Sequence, residues 1–62
     1  GELFELVCKL PSRYKEPIVL FYYENMSIGE ISHTLGISES ACKKRLERGR
    51  NMLREKENLK NG

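Results

Sequence analysis

Two helix starts and one helix end fall within the segment from Ser27 to Ser38, which constrains the fold more than any other feature of this sequence. Ser27 and Glu30 have the spacing of a capping box, in which each side chain satisfies a free backbone amide at the start of a helix. Gly36 stands where a left-handed residue ends that helix, and Ser38 is placed to cap the next one. Three apolar residues share one face of the first helix: Ile28, Ile31 and Leu35. The segment therefore predicts two helices joined by a short turn.

The helix that begins after Ser38 is predicted to run to about Glu55, and its two sides differ. At about 100° per residue, its apolar positions fall on one side and form a buried seam. The seam residues are Cys42, Leu46, Gly49 and Leu53. The opposite side is polar and carries Ser40, Lys44, Glu47, Arg48 and Asn51, with Lys43 and Arg54 on one flank.

The first half of the chain predicts two further helices. The first covers residues 2–10 and ends before Pro11, and its apolar stripe is formed by Leu3, Leu6, Val7 and Leu10. Ser12 is the predicted N-cap of the second helix, which continues through residues 18–23 and tolerates Pro17 near its start. The apolar block 18–23 also fits a buried strand, but no second strand-like run is present to pair with it. We therefore predict an all-α, four-helix chain with no sheet.

Length and cysteine content limit the class of protein. The 62 residues form a single thin core, because a chain of this size buries only about 60% of the surface that its unfolded form exposes. The cysteines, Cys8 and Cys42, are too few for a disulfide-stabilised secreted scaffold, so we expect buried thiols in a cytoplasmic protein. No apolar run approaches the roughly 20 residues of a membrane span, and the start lacks the features of a signal peptide.

The first residue is Gly rather than Met, so we expect the chain to be a piece of a longer protein. Within it, the predicted folded domain covers residues 1–57. Residues 58–62 have no apolar partner in the predicted pattern, and we expect them to form a disordered tail.

Positive charge is concentrated in one part of the chain. Residues 1–37 carry three basic and five acidic side chains, whereas residues 38–56 carry seven basic and three acidic ones. A helix-turn-helix whose second helix is basic on its free side is typical of proteins that place this helix in the major groove of DNA. In that position Ser40, Lys43 and Lys44 would face the bases and Arg48 a phosphate, with Arg45, Arg50 and Arg54 placed for phosphates or for neighbouring acidic groups.

The sequence predicts no other chemistry. It has no His-supported nucleophile, no paired acids away from helix surfaces and no Gly-rich phosphate loop, so we predict neither an enzyme nor a cofactor or small-molecule substrate. His33 is expected at the surface, and no metal site is predicted around it. Of the neighbouring Tyr22 and Tyr23, only one is expected to be exposed.

Three stretches together resemble a known family. They are the run from Leu10 to Ile31, the turn Leu35-Gly-Ile-Ser38, and the run Lys43-Lys-Arg-Leu-Glu-Arg-Gly-Arg50. They closely resemble region 4 of bacterial sigma factors of the extracytoplasmic-function (ECF) group in the sigma-70 family, and the resemblance covers roughly residues 6–53. It implies a sigma region 4 or winged-helix-like DNA-binding domain, built as a four-helix helix-turn-helix without a sheet.

The resemblance also implies a function. Such a domain would bind the minus-35 element of promoter double-stranded DNA while docked on the β flap of the RNA polymerase core, would direct transcription initiation, and would be open to masking by an anti-sigma factor. The residues at the matching positions are Ser38, Glu39, Ser40, Lys43 and Lys44 facing the promoter, and Arg48 facing the backbone. With Ala41 and Arg45 beside them, these residues form the predicted DNA-binding set.

Two positions depart from the family pattern. Ala41-Cys42 stands where the family usually has Thr-Val, so one hydroxyl that would reach a phosphate is missing, although Cys42 keeps the seam apolar. Ser32 replaces a small apolar residue.

Two alternatives remain. A LuxR-type response-regulator output domain is also a four-helix helix-turn-helix protein, but it normally has Leu-Thr-x-Arg-Glu where this chain has the run from Leu10 to Tyr14. It also normally has Val-Lys-x-His where this chain has the run from Cys42 to Arg45. The second alternative is a helical protein-interaction module whose first or second helix docks a partner while the basic helix stays in water.

Overall fold

Four α-helices follow one another in the computed structural model, which describes the backbone of residues 1–61 and the side chains of residues 1–58. They are α1 (Glu2–Cys8), α2 (Ser12–Ile18), α3 (Ile28–Leu35) and α4 (Glu39–Asn61). A wider π-helical turn, Val19–Tyr23, continues directly from α2. The described residues contain no strand, so the prediction of an all-α, four-helix fold is confirmed.

Pro11 separates α1 from α2. Helix α1 ends at Cys8, two residues earlier than predicted, because its last turn tightens. The amides of Lys9 and Leu10 donate to carbonyls three residues back, over 3.2 and 3.1 Å. Pro11 itself is the N-cap of α2, with φ −55° and ψ 147°, and Ser12 is the first helical residue. The prediction of Ser12 as the cap is therefore wrong, because the proline ring already holds the backbone in the extended conformation that a cap requires.

The second helical segment follows one continuous path through the apolar block. Pro17 lies inside α2, and Ile18 at its end keeps helical dihedral angles, φ −61° and ψ −47°. The turn then widens, and the amide of Glu24 donates to the carbonyl of Val19, five residues back, over 3.1 Å. A single helical segment through residue 23 is thus confirmed, and its irregularity lies at its end rather than at its start.

The start of α3 and the turn between α3 and α4 form as predicted. The Ser27 amide donates to Glu30 Oε1 over 2.8 Å, and the Glu30 amide donates to Ser27 Oγ over 3.1 Å, which completes the capping box. Gly36 ends α3 in the left-handed conformation, φ 68° and ψ 36°, and the Ile37 amide donates to the Ser32 carbonyl over 3.0 Å. This pairing satisfies a carbonyl that the end of the helix leaves free.

A small core joins all four helices. Its buried apolar side chains are Val7, Leu10, Ile18, Ile31, Cys42, Leu46 and Leu53. Every residue of the predicted α4 seam is buried, including Gly49. A Cβ atom added at Gly49 would lie 3.0 Å from Ile18 Cγ1 and 3.5 Å from Tyr14 Cβ, so the glycine allows α2 to pack directly on α4.

Three predictions about burial are wrong. Cys8 is exposed, because α1 turns its Val7 side toward the core and Cys8 lies about 100° further round. Leu3 is exposed as well, since it lies near the free start of α1. Both Tyr22 and Tyr23 are exposed, at 47% and 44%, instead of one of them. They pack on other aromatic rings, Tyr22 on Phe21 and Tyr23 on Phe4, and leave one side open to solvent.

Helix α4 continues well past its predicted end near Glu55, through Asn61. Residues 54–60 are Arg, Glu, Lys, Glu, Asn, Leu and Lys, mostly good helix formers, and no glycine or proline interrupts them. The boundary between a domain of residues 1–57 and a disordered tail of residues 58–62 stays a prediction, and Gly62 lies outside the described residues.

Candidate nucleic-acid interface

The first three turns of α4 present a free polar surface. The Ser38 hydroxyl caps the helix by accepting the Ala41 amide over 3.0 Å. Six of the predicted DNA-binding residues are exposed: Ser38, Glu39, Ser40, Lys43, Lys44 and Arg48. The other two, Ala41 and Arg45, are half-buried. All eight residues therefore lie in, or directly before, the first three turns of α4, a helix whose seam is packed in the core.

Within this set, Glu39 points back toward α3. Its Oε2 atom lies 3.6 Å from the position that a Cβ atom on Gly29 would occupy. Gly29 belongs to the first turn of α3, where free amides create a positive potential that favours a carboxylate. The negative charge of Glu39 thus lies beside the first turn of α3.

A basic groove of about 270 Å³ lies between the start of α2 and the first three turns of α4. Its lining residues are Arg13, Tyr14, Ala41, Lys44, Arg45 and Arg48. Four of these six side chains are cationic and none is acidic. The sequence interpretation missed Arg13 and Tyr14, because they lie outside the helix-turn-helix. The signal that would have found them is Gly49, since a glycine in a packed seam marks the point where another helix comes close.

Tyr14 lines this groove together with Arg13 and Arg48. Hydrogen bonding with Arg13, followed by hydrogen bonding with Arg48, lowers the pKa of Tyr14 below its ordinary value of 10.0, although partial desolvation opposes the shift. Tyr14 therefore lies beside one guanidinium group from α2 and one from α4. The groove is a place where an anion would meet several donors at once.

Two arginines of α4 lie elsewhere. Arg50 donates from Nη1 to the Tyr22 hydroxyl over 3.1 Å, and Arg54 donates from Nη1 to Asn51 Oδ1 over 3.2 Å. These described partners are a hydroxyl and an amide rather than acidic groups, and the contact of the two side chains with phosphates stays a prediction. The positive charge of α4 is thus divided between the basic groove and a second, different surface.

That second surface is an apolar groove of about 420 Å³ between α1, the π-helical turn and the last part of α4. Its apolar and aromatic lining is formed by Leu3, Val7, Ile18, Tyr22, Tyr23 and Leu53, and its polar lining by Arg50, Arg54, Glu57 and Asn58. The exposed rings of Tyr22 and Tyr23 make this groove an opening with a mostly apolar wall.

Cys42 lies fully buried beneath the exposed side of α4. Desolvation by burial raises the pKa of its thiol, the nearby Arg45 opposes the shift, and Glu39 adds to it. A protonated, enclosed thiol is a poor nucleophile, so Cys42 acts as a small apolar core residue, as predicted.

These features define the class of the protein as a helix-turn-helix domain with a basic second helix. The sequence profile described as "Sigma-70, region 4" matches residues 1–53, and the chain belongs to this family. The resemblance to region 4 of ECF sigma factors is therefore confirmed. The family match also decides between the sigma region 4 domain and the LuxR-type output domain, the two DNA-binding families that the sequence left open.

Two curated proteins from Bacillus subtilis (strain 168) are similar to this chain. RNA polymerase sigma factor SigZ is 40% identical over 47 residues, which are 76% of this chain and 27% of the relative. ECF RNA polymerase sigma factor SigW is 42% identical over 48 residues, which are 77% of this chain and 26% of the relative. The chain thus spans about a quarter of the length of these relatives. No solved structure matches it.

Within residues 1–61, no helix combines the length and the apolar character needed to cross a bilayer.

Proposed function

We propose that this domain binds the minus-35 element of promoters as part of an ECF sigma factor, and that it does so on RNA polymerase. The observation that carries the proposal is the exposure of Lys43, Lys44 and Arg48 on a helix whose seam is fully packed. Membership of the sigma-70 region 4 family and similarity to the RNA polymerase sigma factors SigZ and SigW support it.

In this proposal the start of α4 enters the major groove. Ser40, Lys43 and Lys44 project from its first turns and reach base edges, where lysine prefers the acceptors of guanine. Arg48 lies one turn further along and meets a backbone phosphate. The capping bond of Ser38 holds the start of the helix, so these side chains leave it in fixed directions.

The apolar groove supports docking on the polymerase β flap. A protein segment with apolar side chains would fill the space between α1 and the end of α4, and the exposed Phe4, Tyr22 and Tyr23 would become buried. This surface and the basic groove involve different parts of α4. A docked domain is therefore free to bind DNA, and an anti-sigma factor would act by covering one of the two surfaces.

Docking on the polymerase also affects how tightly so small a domain can bind DNA. A chain of 62 residues contacts few phosphates, and each contact adds salt-sensitive affinity that does not depend on the DNA sequence. We therefore expect weak binding by the free chain and tighter binding when the polymerase raises the effective concentration of the domain near the promoter.

Selection of random duplexes by the chain held on the polymerase β flap, repeated at several salt concentrations, tests the proposal. One duplex sequence should be enriched, and replacement of Lys43, Lys44 and Arg48 by Ala should abolish the enrichment. Lys9→Ala is the matched control, because Lys9 is exposed in the loop after α1 and lines neither groove. Absence of any enriched sequence, or equal enrichment by the triple variant, would contradict promoter recognition.

The apolar groove also favours a second candidate, a protein-interaction module that does not use DNA. This candidate predicts that the triple variant binds its protein partner as well as the unchanged chain does and that neither prefers any duplex. Variants of Tyr22 and Leu3, which line the groove, would instead abolish partner binding.

A further inference from the structure

We propose that Arg13 and Tyr14 of α2, together with Arg48 of α4, hold one backbone phosphate of duplex DNA. The inference rests on the proposed function, since it requires DNA to lie along α4. It adds a contact from a helix outside the helix-turn-helix, at residues that the sequence interpretation did not assign to DNA.

The position of the basic groove carries the first part of the argument. Ala41 and Lys44 in its lining belong to the first two turns of α4, and Arg48 follows one turn later. A duplex whose major groove receives the start of α4 therefore passes the opening of this groove with its phosphates. Arg13 stands on the other side of the opening and is exposed, so its guanidinium group is free to meet the same strand.

The chemistry of the lining carries the second part. Arginine presents a planar fork of N–H donors that matches the oxygen atoms of a phosphate, and a tyrosine hydroxyl adds a further donor. With four cations and no acid lining the groove, a phosphate enters without repulsion from its own walls. A protein carboxylate carries the same sign of charge, but nothing places one there, whereas the duplex runs along α4 by the proposed function.

Packing carries the third part, because it holds one of the three donors, Tyr14, in place before DNA arrives. Tyr14 is half-buried, and its Cβ atom lies 3.5 Å from the position of a Cβ atom on Gly49. Arg13, Tyr14 and Arg48 line the same groove, so the hydroxyl of this packed ring lies close to the two guanidinium groups. A ring that packing already holds in place loses less conformational entropy on binding than a free side chain would.

The test removes single charges from the protein and from the DNA. DNA binding by the complete chain is measured by fluorescence anisotropy on short duplexes at several low salt concentrations. Arg13→Gln removes one charge from the protein, and a methylphosphonate placed at each backbone position in turn removes one charge from the DNA. Arg50→Gln is the matched control, since Arg50 is also an exposed arginine but is bound to Tyr22 beside the other groove. Circular dichroism melting verifies that each variant is folded.

Arg13→Gln should weaken binding by about tenfold, the order of effect of a charge-assisted hydrogen bond, on enriched and scrambled duplexes alike. The slope of log K against log salt should fall by about 0.9, as expected for the loss of one phosphate contact. One methylphosphonate position should weaken the unchanged chain more than it weakens Arg13→Gln, in which only Tyr14 and Arg48 still contact that phosphate. Tyr14→Phe keeps the packed ring but removes the hydroxyl. It should therefore lose part of the affinity that the unchanged chain gains from the phosphate at that same position.

Two results would overturn the proposal. One is an Arg13→Gln variant with the affinity and salt slope of Arg50→Gln. The other is a loss of affinity in Arg13→Gln that is fully additive with the loss caused by every methylphosphonate. Arg13 would then act through the general electrostatic field of the domain. In either case the unchanged chain still prefers the enriched duplex if the proposed function is right, so failure of the phosphate site is distinguishable from failure of promoter recognition.

Discussion

Gly49→Ala tests whether the close packing of α2 on α4 is a strict requirement of the fold. In an ordinary helix interior, replacement of Gly by Ala stabilises by about 0.8–1.0 kcal/mol, because Gly is the more flexible residue in the unfolded chain. At Gly49 the added Cβ atom would lie 3.0 Å from Ile18 Cγ1 and 3.2 Å from Ile18 Cδ1. Ile18 is only 1% exposed and has no room to move away. Overpacking of this kind typically costs about 1–3 kcal/mol.

The steric cost should exceed the gain in helix propensity, so we expect a net loss of about 1 kcal/mol. For a domain of this size, that loss lowers the midpoint of thermal unfolding by about 4–8 °C. The same change at Gly29 is the matched control. Its nearest added contact, Glu39 Oε2 at 3.6 Å, is at ordinary distance, so Gly29→Ala should be neutral or stabilising.

Thermal unfolding followed by circular dichroism separates the two variants. If Gly49→Ala melts at or above the temperature of the unchanged chain, then α2 can shift away from α4 at little cost. Close packing at Gly49 would then not be required to bring Tyr14 of α2 beside α4. A lower melting temperature for Gly29→Ala than for Gly49→Ala would contradict the comparison of the two sites.

Three further predictions concern the core, the capping box and base recognition. Leu46→Ala should cost roughly 2–5 kcal/mol, a large part of the stability of so small a domain; a nearly unchanged melting curve would mean that another side of α4 is buried. Hydrogen bonds from the Ser27 amide and then the Ser27 hydroxyl lower the pKa of Glu30 below 4.5, so the capping box stabilises above that pH and its contribution is lost as the pH falls through the lowered pKa. Glu30→Gln should remove this part of the pH dependence in acid titrations of unfolding, and an identical titration would exclude it. Lys44→Ala should reduce the preference for one or two base pairs by about 1–3 kcal/mol in anisotropy measurements, whereas equal losses on matched and scrambled duplexes would make Lys44 a phosphate contact.

Local signals explain which parts of the fold were predictable. The capping box of Ser27 and Glu30 and the left-handed Gly36 are fixed by interactions within a few residues, so their spacing in the sequence is sufficient. The α4 seam is equally predictable, because the helical period decides which side of the helix is apolar. These features position the turn and the exposed face of α4, and with them the predicted DNA-binding set.

Features that depend on contacts between distant residues were not predictable in the same way. The joint position of Arg13, Tyr14 and Arg48 results from the packing of α2 on α4, and no periodicity within either helix indicates it. The exposure of Cys8 has a similar origin, since the short α1 has only part of its surface covered. The division of the arginines between two grooves also required knowledge of where Tyr22 lies.

Helix α4 lines both grooves, and this has a consequence for how its length can vary. As a continuous rod of 23 residues, it fixes the direction of the apolar groove relative to the basic one. One inserted residue between Arg48 and Leu53 would turn everything beyond it by about 100° and shift it by about 1.5 Å along the axis. Amino-acid exchanges on the surface of this rod leave that geometry intact, whereas a single insertion or deletion does not. Related chains should therefore vary in side chains along this stretch far more readily than in its residue count.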